Sequence, residues 1–190
     1  MRRPALCLLA LLLVFPLLAA CRPNQTAEER VLELRELFLT GPQQFAAEIT
    51  ADYGDRVHQF TLRFDAAAST LEVLAPDLIA GIVVEVSESG TVLHWSGAEL
   101  NTGPLTADGL SPIAALPAIV FEWKEGLITS SHYETLDGID TVVMTTAISD
   151  RVSHITWFDR ETGFPIKANL LQDGVLVLKS IFEGSPLFGT

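Results

Sequence analysis

The sequence is short of cysteine and of positive charge. It has two cysteines among 190 residues, and 12 Lys and Arg residues stand against 24 Asp and Glu residues, for a net charge of −12. So few cysteines give no basis for a fold held together by disulfides. A strongly acidic surface repels nucleic acid and anionic lipid headgroups, so we expect no nucleic-acid partner.

Catalytic and nucleotide-binding motifs are also missing. The chain contains no HExxH, no paired CxxC, no GxSxG and no glycine-rich phosphate loop. Its four histidines, His58, His94, His132 and His154, show no metal-ligand spacing. His132 and Glu134 could place two ligands on one strand face, but an ordinary hydrogen-bonded histidine is the simpler interpretation. We therefore predict that the protein is not an enzyme and that it has no cofactor and no metal site.

One long apolar run is present, and it lies at the N-terminus behind two positive charges, Arg2 and Arg3. Pro16 would break a helix before the small residues Ala19 and Ala20. This order is typical of a secretory signal peptide. An uncleaved transmembrane anchor is the alternative, since the run could just cross the hydrocarbon core. The prolines and the small residues at its end favour cleavage.

The end of the run, LAAC, resembles the lipobox of bacterial lipoproteins. In that family the cysteine, here Cys21, is alkylated with diacylglycerol and becomes the first residue of the mature chain. The resemblance implies a signal peptide over residues 1–20, and a lipidated cysteine with a short tether over residues 21–25. It also implies attachment to the extracytoplasmic face of the cell membrane, or to the outer membrane in an organism that has one. Two acyl chains anchor a protein stably, whereas a single chain does so only marginally.

Cleavage before Cys21 would lower both the number of cysteines and the number of positive charges. Cys7 would leave with the signal, so that no disulfide could form within the folded domain. The net charge would fall from −12 to −14, because Arg2 and Arg3 would also be removed. We therefore expect the membrane to hold this domain through its lipid and not through charge.

A helix is predicted directly after the tether. Thr26 and Glu29 have the spacing of a capping box, with Thr26 as the N-cap. Apolar residues then recur at helical spacing until Gly41 and Pro42 end the helix. Those apolar residues are Val31, Leu34, Leu37 and Phe38. The tether of residues 22–25 can reach only ~14 Å when fully extended, so the domain is expected to sit against the membrane.

Alternating apolar and polar residues predict strands through much of the remaining chain. The segment HQFTLRF, for example, places His58, Phe60, Leu62 and Phe64 on one face. Turn sequences such as SESG are typical of hairpins between such strands. We therefore predict an antiparallel meander with one face exposed to water.

The middle of the chain has a different composition. Residues 101–112, NTGPLTADGLSP, are rich in Gly, Pro, Thr and Asp and are predicted to form a loop. Ser111 and Pro112 stand where the N-cap and the first residue of a helix belong. The apolar stretch that follows predicts one short helix, or two that are interrupted at Pro117.

The last strands carry apolar residues on both faces. An Asp-Gly turn at 173–174 would place Leu171 opposite Leu176 and Leu170 opposite Val177, and adjacent pairs point to opposite faces. The segment VSHITWFD alternates in the same way. A sheet that is apolar on both faces must be covered on both. Helices can cover one face, and curvature, loops, a partner or a ligand must close the other.

This order of elements resembles the LolA/LolB-like fold, and FDRETGFP, Phe158 to Pro165, is the best local match. The resemblance implies an α+β fold, formed by a single domain over residues 26–190. In it a curved antiparallel half-barrel is covered by an N-terminal helix and a short helical insert. The family includes carriers of lipoproteins, and also lipoproteins that bind or stabilise a protein partner. It implies a non-catalytic module that binds a protein partner; the alternative is a carrier or sensor of lipid or acylated ligands.

Six aromatic and apolar residues are candidates for lining an interior cavity. Ordinary core packing is the alternative explanation for each of them. The size of the interior distinguishes the two functions, because a carrier needs a cavity of several hundred Å³ and an interaction module can be filled. The candidates are Phe60, Leu62, Phe64, Trp95, Trp123 and Trp157.

Overall fold

The computed structural model describes residues 25–40, 45–52, 54, 56–64, 68–87, 90–103 and 112–184. Within these ranges the side chains of residues 40, 45–48, 64, 112 and 113 are not described. The predicted signal peptide, the lipidated Cys21 and the N-cap Ser111 lie outside the described residues and stay predictions.

The described chain forms two helices and eleven strands. Helix α1 spans Ala27–Thr40 and helix α2 spans Pro112–Glu125. The strands before α2 are β1 (Phe45–Asp52), β2 (Val57–Phe64), β3 (Ala68–Ala75), β4 (Val83–Ser87), β5 (Gly90–Trp95) and β6 (Ala98–Gly103). The strands after α2 are β7 (Leu127–Leu136), β8 (Ile139–Ala147), β9 (Val152–Asp159), β10 (Pro165–Gln172) and β11 (Val175–Glu183).

All of these strands belong to one antiparallel sheet. Its order is β6-β5-β4-β3-β2-β1-β11-β10-β9-β8-β7, so two meanders are joined where β1 pairs with β11. The sheet is open and curved, and the two helices pack on its inner face. The predicted α+β half-barrel with an N-terminal helix and a short helical insert is confirmed.

The turns and chain ends are divided between the two ends of the half-barrel. Helix α1 begins beside the β9–β10 turn, where Arg30 donates hydrogen bonds to the backbone oxygens of Arg160 and Glu161 at 3.1 and 3.4 Å. Strand β11 finishes at this same end, because it is antiparallel to β10. We call this the near end. The far end carries the β3–β4, β5–β6 and β10–β11 turns.

The capping box at the start of α1 is confirmed. The Thr26 amide donates to Glu29 Oε2 at 2.9 Å, and the Glu29 amide donates to Thr26 Oγ1 at 3.2 Å. Of the apolar residues predicted to face the core, Val31, Leu34 and Phe38 are at most 3% exposed, whereas Leu37 is 38% exposed and was wrongly included. The periodicity therefore predicted correctly which face of α1 is buried.

Three hairpins use the same turn. At Ser96–Gly97, Asp137–Gly138 and Asp173–Gly174 both residues have positive φ, which defines the type I′ turn. The values at Asp173 and Gly174 are 51° and 78°. The predicted Asp-Gly hairpin is confirmed, and its backbone explains why glycine follows the aspartate.

The register of that hairpin is only partly as predicted. Leu171 does pair with Leu176, but Leu170 pairs with Leu178, so the predicted pairing with Val177 is wrong. A register shift between Leu170 and Leu171 marks a bulge. The bulge places Leu170 and Leu178 together on the inner face, where both are fully buried.

The helical insert is a single helix that continues through Pro117, so the alternative of two helices is wrong. A proline removes one backbone donor and crowds the carbonyl four residues before it. Leu116, Ile119 and Val120 around it are nevertheless at most 2% exposed. Their burial against the sheet favours the continuous helix, which begins at Pro112 as predicted.

Strand β6 was not predicted. The sequence favoured a loop from residue 101, whereas Asn101, Thr102 and Gly103 continue a strand that begins at Ala98. Loop-forming residue types are tolerated here because the type I′ turn at Ser96–Gly97 sends the chain straight back along β5.

Candidate binding surface of the half-barrel

Two of the predicted cavity residues, Phe60 and Leu62, lie on the inner face of β2. Phe60 pairs with Ile49 of β1, and Leu62 pairs with Leu71 of β3. All four are at most 1% exposed. Side chains packed in this way fill the inner face under the helices. The side chain of Phe64, a third candidate, lies outside the described residues.

Trp123 is the centre of an aromatic cluster between the helices and the sheet. Its ring centroid lies 5.4 Å from Phe38 of α1, 5.4 Å from Phe158 of β9 and 5.7 Å from Phe182 of β11. With an exposure of 1%, the indole is enclosed by α1 and by the strands β9 and β11. Trp123 therefore belongs to the packed core.

The polar edge of Trp123 joins a buried hydrogen-bond chain. The indole Nε1 donates to Thr156 Oγ1 at 2.8 Å, and Thr156 Oγ1 lies 2.8 Å from His154 Nε2. The Thr156 oxygen accepts from Trp123, and its hydroxyl also bonds the imidazole, whose other nitrogen is Nδ1. That nitrogen lies 3.4 Å from Thr146 Oγ1.

The hydrogen-bond chain returns to helix α2 at Glu122, whose carboxyl also hydrogen-bonds Thr146. Burial raises the pKa of Glu122, while Thr146 and the charge of Arg35 lower it. Burial also lowers the pKa of His154 to about 3, so the imidazole is neutral at physiological pH. The chain of hydrogen bonds both starts and ends on α2, and it therefore fixes that helix over β8 and β9.

Arg35 of α1 holds the end of α2. It donates hydrogen bonds to the backbone oxygens of Trp123 at 3.3 Å and Gly126 at 2.6 Å. Carbonyls at a helix C-terminus lack partners within the helix, and a cation beside them is favoured by the helix dipole. The two helices are thus bound to each other as well as to the sheet.

Trp157 lies on the other face of the sheet, away from the interior in which we expected it. Alternation along β9 directs Thr156 and Phe158 inward, so Trp157 points outward. Its indole donates a hydrogen bond to Glu134, and Lys167 Nζ lies 4.6 Å from the ring centroid. The two described helices lie on the inner face. On the outer face, these neighbouring side chains reduce the exposed fraction of Trp157 to 9%.

Trp95 is the remaining candidate, and it is exposed. It directly precedes the β5–β6 turn at the far end and is 53% exposed. Leu100 of β6 pairs with Leu93 on the same inner face and is 62% exposed, and Leu78 in the neighbouring β3–β4 turn is 85% exposed. We call Leu78, Trp95 and Leu100 the β5–β6 surface. It is an apolar surface beside an end strand of the sheet.

The recesses on the described surface include two whose lining residues are all described. A small one of about 160 Å³ is lined by Ile49, Thr50, Gln59, Phe60, Leu74 and Glu183. An open groove of about 570 Å³ at the near end is lined by Gly138, Ile139, Asp140, Asp159, Arg160 and Glu161. The cavity of a carrier would be lined mainly by apolar residues of the inner face, and neither of these recesses has such a lining.

The described residues contain no group of three His, Cys, Asp or Glu side chains that could hold a metal ion. His132 Nε2 lies 3.2 Å from Glu134 Oε2, so this pair on β7 forms an exposed ion pair when the histidine is protonated. Neither described helix has the length and apolar character needed to cross a membrane.

Sequence reasoning missed the hydrogen-bond chain of Thr146, His154 and Thr156. One signal was present, since alternation places His154 and Thr156 on the same face as Val152 and Phe158. Polar residues at inward positions of a strand predict buried hydrogen bonds. Their partner on α2 could not be found in this way, because it depends on how the helix crosses the sheet.

The sequence matches no protein-family profile and no curated protein. Solved structures do match. An uncharacterised conserved protein from Thermus thermophilus has 9% identity and a TM-score of 0.58, covering 85% of this chain and 89% of its own. MucB has 18% identity and a TM-score of 0.51, covering 82% of this chain and 56% of its own. A LolA superfamily protein from Nitrosomonas europaea has 11% identity and a TM-score of 0.42, covering 87% and 94%. At these identities the similarity concerns the fold.

Proposed function

We propose that this protein is a lipoprotein, anchored through diacylglycerol on Cys21 to the extracytoplasmic face of the membrane, and that it binds a protein partner without catalysis. The lipobox-like LAAC supports the anchor. The position of α1 supports it too, because the helix begins at Ala27, only a few residues after that cysteine.

The inner face has a buried part and an exposed part, and this difference is the observation that favours a protein partner. Under the helices, Phe60, Leu62 and Trp123 are packed to an exposure of 1% or less. At the sheet edge, Trp95 and Leu100 are 53% and 62% exposed. An exposed apolar surface is typical of a protein–protein contact, whereas an enclosed ligand needs an interior space.

One protein of the same fold is consistent with this proposal. MucB shares the half-barrel over 82% of this chain, and it forms a complex with MucA in Pseudomonas aeruginosa. A fold alone does not carry a function, so the exposed surface remains the main support.

A carrier or sensor of lipid or acylated ligands is the second candidate. It is favoured by the apolar character of Trp95 and Leu100, which an acyl chain could also contact. Native mass spectrometry of the full-length protein, extracted in detergent from its own membrane, separates the two functions. A complex with a second protein supports our proposal, and a bound mass of lipid size in its place supports the carrier. A metal- or histidine-dependent hydrolytic rate would contradict both.

The anchor has its own test. The Cys21→Ser variant should lose labelling by a radioactive fatty acid and should leave the membrane fraction, because serine offers no thiolate for alkylation. The Cys7→Ser variant is the matched control and should be labelled normally. Continued labelling of Cys21→Ser would show that the lipobox assignment is wrong.

A further inference from the structure

We propose that an extended segment of the partner protein pairs with β6 as a twelfth strand, with apolar side chains on the β5–β6 surface and basic side chains on the outer face. This inference deepens the proposed function and rests on it, because it uses the anchor at Cys21 to assign which end of the half-barrel is nearer the membrane.

The described backbone of β6 has hydrogen-bonding groups on the side away from β5. Trp95 and Ala98 flank a two-residue type I′ turn and are therefore a hydrogen-bonded pair. Pairs alternate along the hairpin, so the backbone groups of Glu99 and Asn101 point away from β5. Among the described residues no strand pairs with this side of β6. An unprotected edge of this kind is a template for another strand.

The other edge of the sheet lies beside helix α1. Helix α1 packs against β7 and β8, and Tyr133 of β7 donates its hydroxyl to the backbone oxygens of Gln25 and Thr26 at 3.0 Å. Arg160 lies 4.1 Å from the Tyr133 ring centroid. Since α1 already packs beside β7, we place strand addition at the edge beside Trp95 and Leu100.

Side chains on an added strand would meet two different faces. Those directed inward would lie beside Leu100 and Trp95, which are apolar and half-exposed or more. Those directed outward would lie beside Glu99, which is also exposed. The alternation of β6 thus selects a partner segment in which apolar residues alternate with residues that complement a carboxylate.

Charge supports a basic partner. The described residues of 68–103 contain four acidic residues and no Lys or Arg. Those acidic residues are Glu72, Asp77, Glu85 and Glu99. Facing positive and negative side chains on neighbouring strands are favourable, and like charges are not. We therefore expect Lys or Arg on the outward positions of the segment.

The proposed anchor places the membrane nearer the opposite end of the half-barrel from this surface. Both described chain ends, at Gln25 and Gly184, lie at the near end, whereas Trp95 lies at the far end. Strand β7, with ten residues, has a length of roughly 33 Å, and the tether reaches only ~14 Å. A domain standing on its far end would pull the anchor out of the bilayer. The occupant is therefore a protein in the aqueous compartment.

The first experiment uses the full-length lipidated protein in nanodiscs and a capped peptide, acetyl-Lys-Val-Lys-Val-Lys-Val-amide. A peptide of the same composition, with three Val followed by three Lys, is the control. Binding is followed by acrylamide quenching of tryptophan fluorescence, which reports mainly Trp95 because Trp123 and Trp157 are 1% and 9% exposed. We expect the alternating peptide to bind at least tenfold more tightly. Equal binding of both peptides would overturn the proposal.

Variants test the geometry of the pairing. Glu99→Pro removes an outward N–H without breaking a β5–β6 bond, and it should weaken peptide binding tenfold or more at an unchanged melting temperature. Glu99→Gln keeps that donor and should weaken binding only a few-fold. Leu100→Ala should also weaken binding several-fold, and Leu176→Ala, at a similarly exposed leucine of the far end, should not. An unaffected Glu99→Pro variant would overturn strand addition.

Photo-crosslinking in cells separates failure of this proposal from failure of the proposed function. A benzophenone amino acid is placed at Leu100, at Leu176 and at Leu32 of α1, all exposed positions. We expect an adduct with one identified protein from Leu100 only, lost with Glu99→Pro. Adducts only from the other positions would overturn strand addition and leave partner binding standing. Adducts with a second copy of this chain or with lipid would also overturn strand addition. If none of the three positions gave a protein adduct, both strand addition and the proposed function would be overturned.

Discussion

The two meanders of the sheet are built differently. In β7–β11 side chains are buried on both faces; Val143 and Trp157 on the outer face are 1% and 9% exposed, and His154 and Thr156 on the inner face are fully buried. In β3–β6 the outer face carries exposed acidic residues such as Glu72, and the inner face ends in exposed apolar residues such as Trp95.

On the inner face, the helices account for this difference, and on the outer face neighbouring side chains cover Trp157. Helix α1 packs against β7, β8 and α2, and α2 is tied to β8 and β9 through Thr146 and Thr156. Burial against two helices stabilises the second meander. The far edge of the first meander is left with surface that can be used for binding. The contrast can be tested by making matched changes in both meanders.

The largest effect is expected from Trp123→Ala. Removing this indole leaves a cavity between the helices and the sheet and deprives Thr156 of its donor, so the free energy of unfolding should fall by about 3–5 kcal/mol. Trp95→Ala, at a position 53% exposed, should cost less than about 1 kcal/mol. Urea unfolding followed by circular dichroism measures both. Similar losses from the two variants would show that the meanders are equally packed.

A pH effect is expected next, and it belongs to the second meander. The pKa of His154 is lowered from 6.5 to about 3 by burial. The unfolded chain therefore takes up the proton first as pH falls, so this stability is present above pH 6.5 and is lost toward pH 3. Between pH 7 and pH 4.5 the loss should be about 2–3 kcal/mol. Urea unfolding at a series of pH values measures it.

Two variants isolate that contribution. His154→Gln should flatten the stability profile between pH 6.5 and pH 4. Glu122 acts with the opposite sign, because its raised pKa favours the folded state at low pH and loses that effect as pH rises through the folded pKa. Glu122→Gln should therefore steepen the acid loss. If the stability profile of His154→Gln were identical to that of the unmodified protein, the acid loss could not be assigned to His154.

A smaller effect is expected from the turns, where the same substitution can be made in each meander. Valine resists positive φ, so both Gly174→Val and Gly97→Val should destabilise their type I′ turns. We expect about 1–3 kcal/mol for Gly174→Val, whose hairpin lies within the sheet, and less for Gly97→Val, whose hairpin forms its edge. Thermal unfolding gives the order. A larger effect at Gly97 would show that the β5–β6 edge is part of the folding core.

The smallest effect on folding is expected from Trp95→Asp. At an exposure of 53% the new carboxylate stays hydrated, so the melting temperature should change little. Binding of the alternating Lys-Val peptide should nevertheless fall severalfold, because the apolar contact is lost. Unfolding of this variant would indicate that Trp95 is covered by other parts of the chain.

Much of the local structure could be predicted from short stretches of sequence. The capping box of Thr26 and Glu29, the buried stripe of α1 and the turn at Asp173–Gly174 each depend on residues that are close in the chain. Local hydrogen bonds and side-chain periodicity decide such features. The part of strand β6 from Asn101 onward could not be predicted in this way, because loop-forming residue types are accepted in a strand once a neighbouring strand pairs with them.

The six predicted cavity residues show where local patterns stop being informative. Alternation correctly placed Phe60 and Leu62 on one face of β2, and it put Trp157 on the face opposite Phe158. It did not indicate which face the helices cover, and for that reason Trp157 was expected in the interior.

The sequence by itself therefore determined the elements, their turns and the two-sided apolar character of the last strands, because these follow from the chemistry of neighbouring residues. Only the tertiary structure decided that Trp123 is buried and Trp95 is exposed, and that β6 forms the open edge. The physical reason is that burial depends on which distant segments pack together. Trp123 of α2 lies between α1 and the sheet, whereas the described residues place no strand beyond β6.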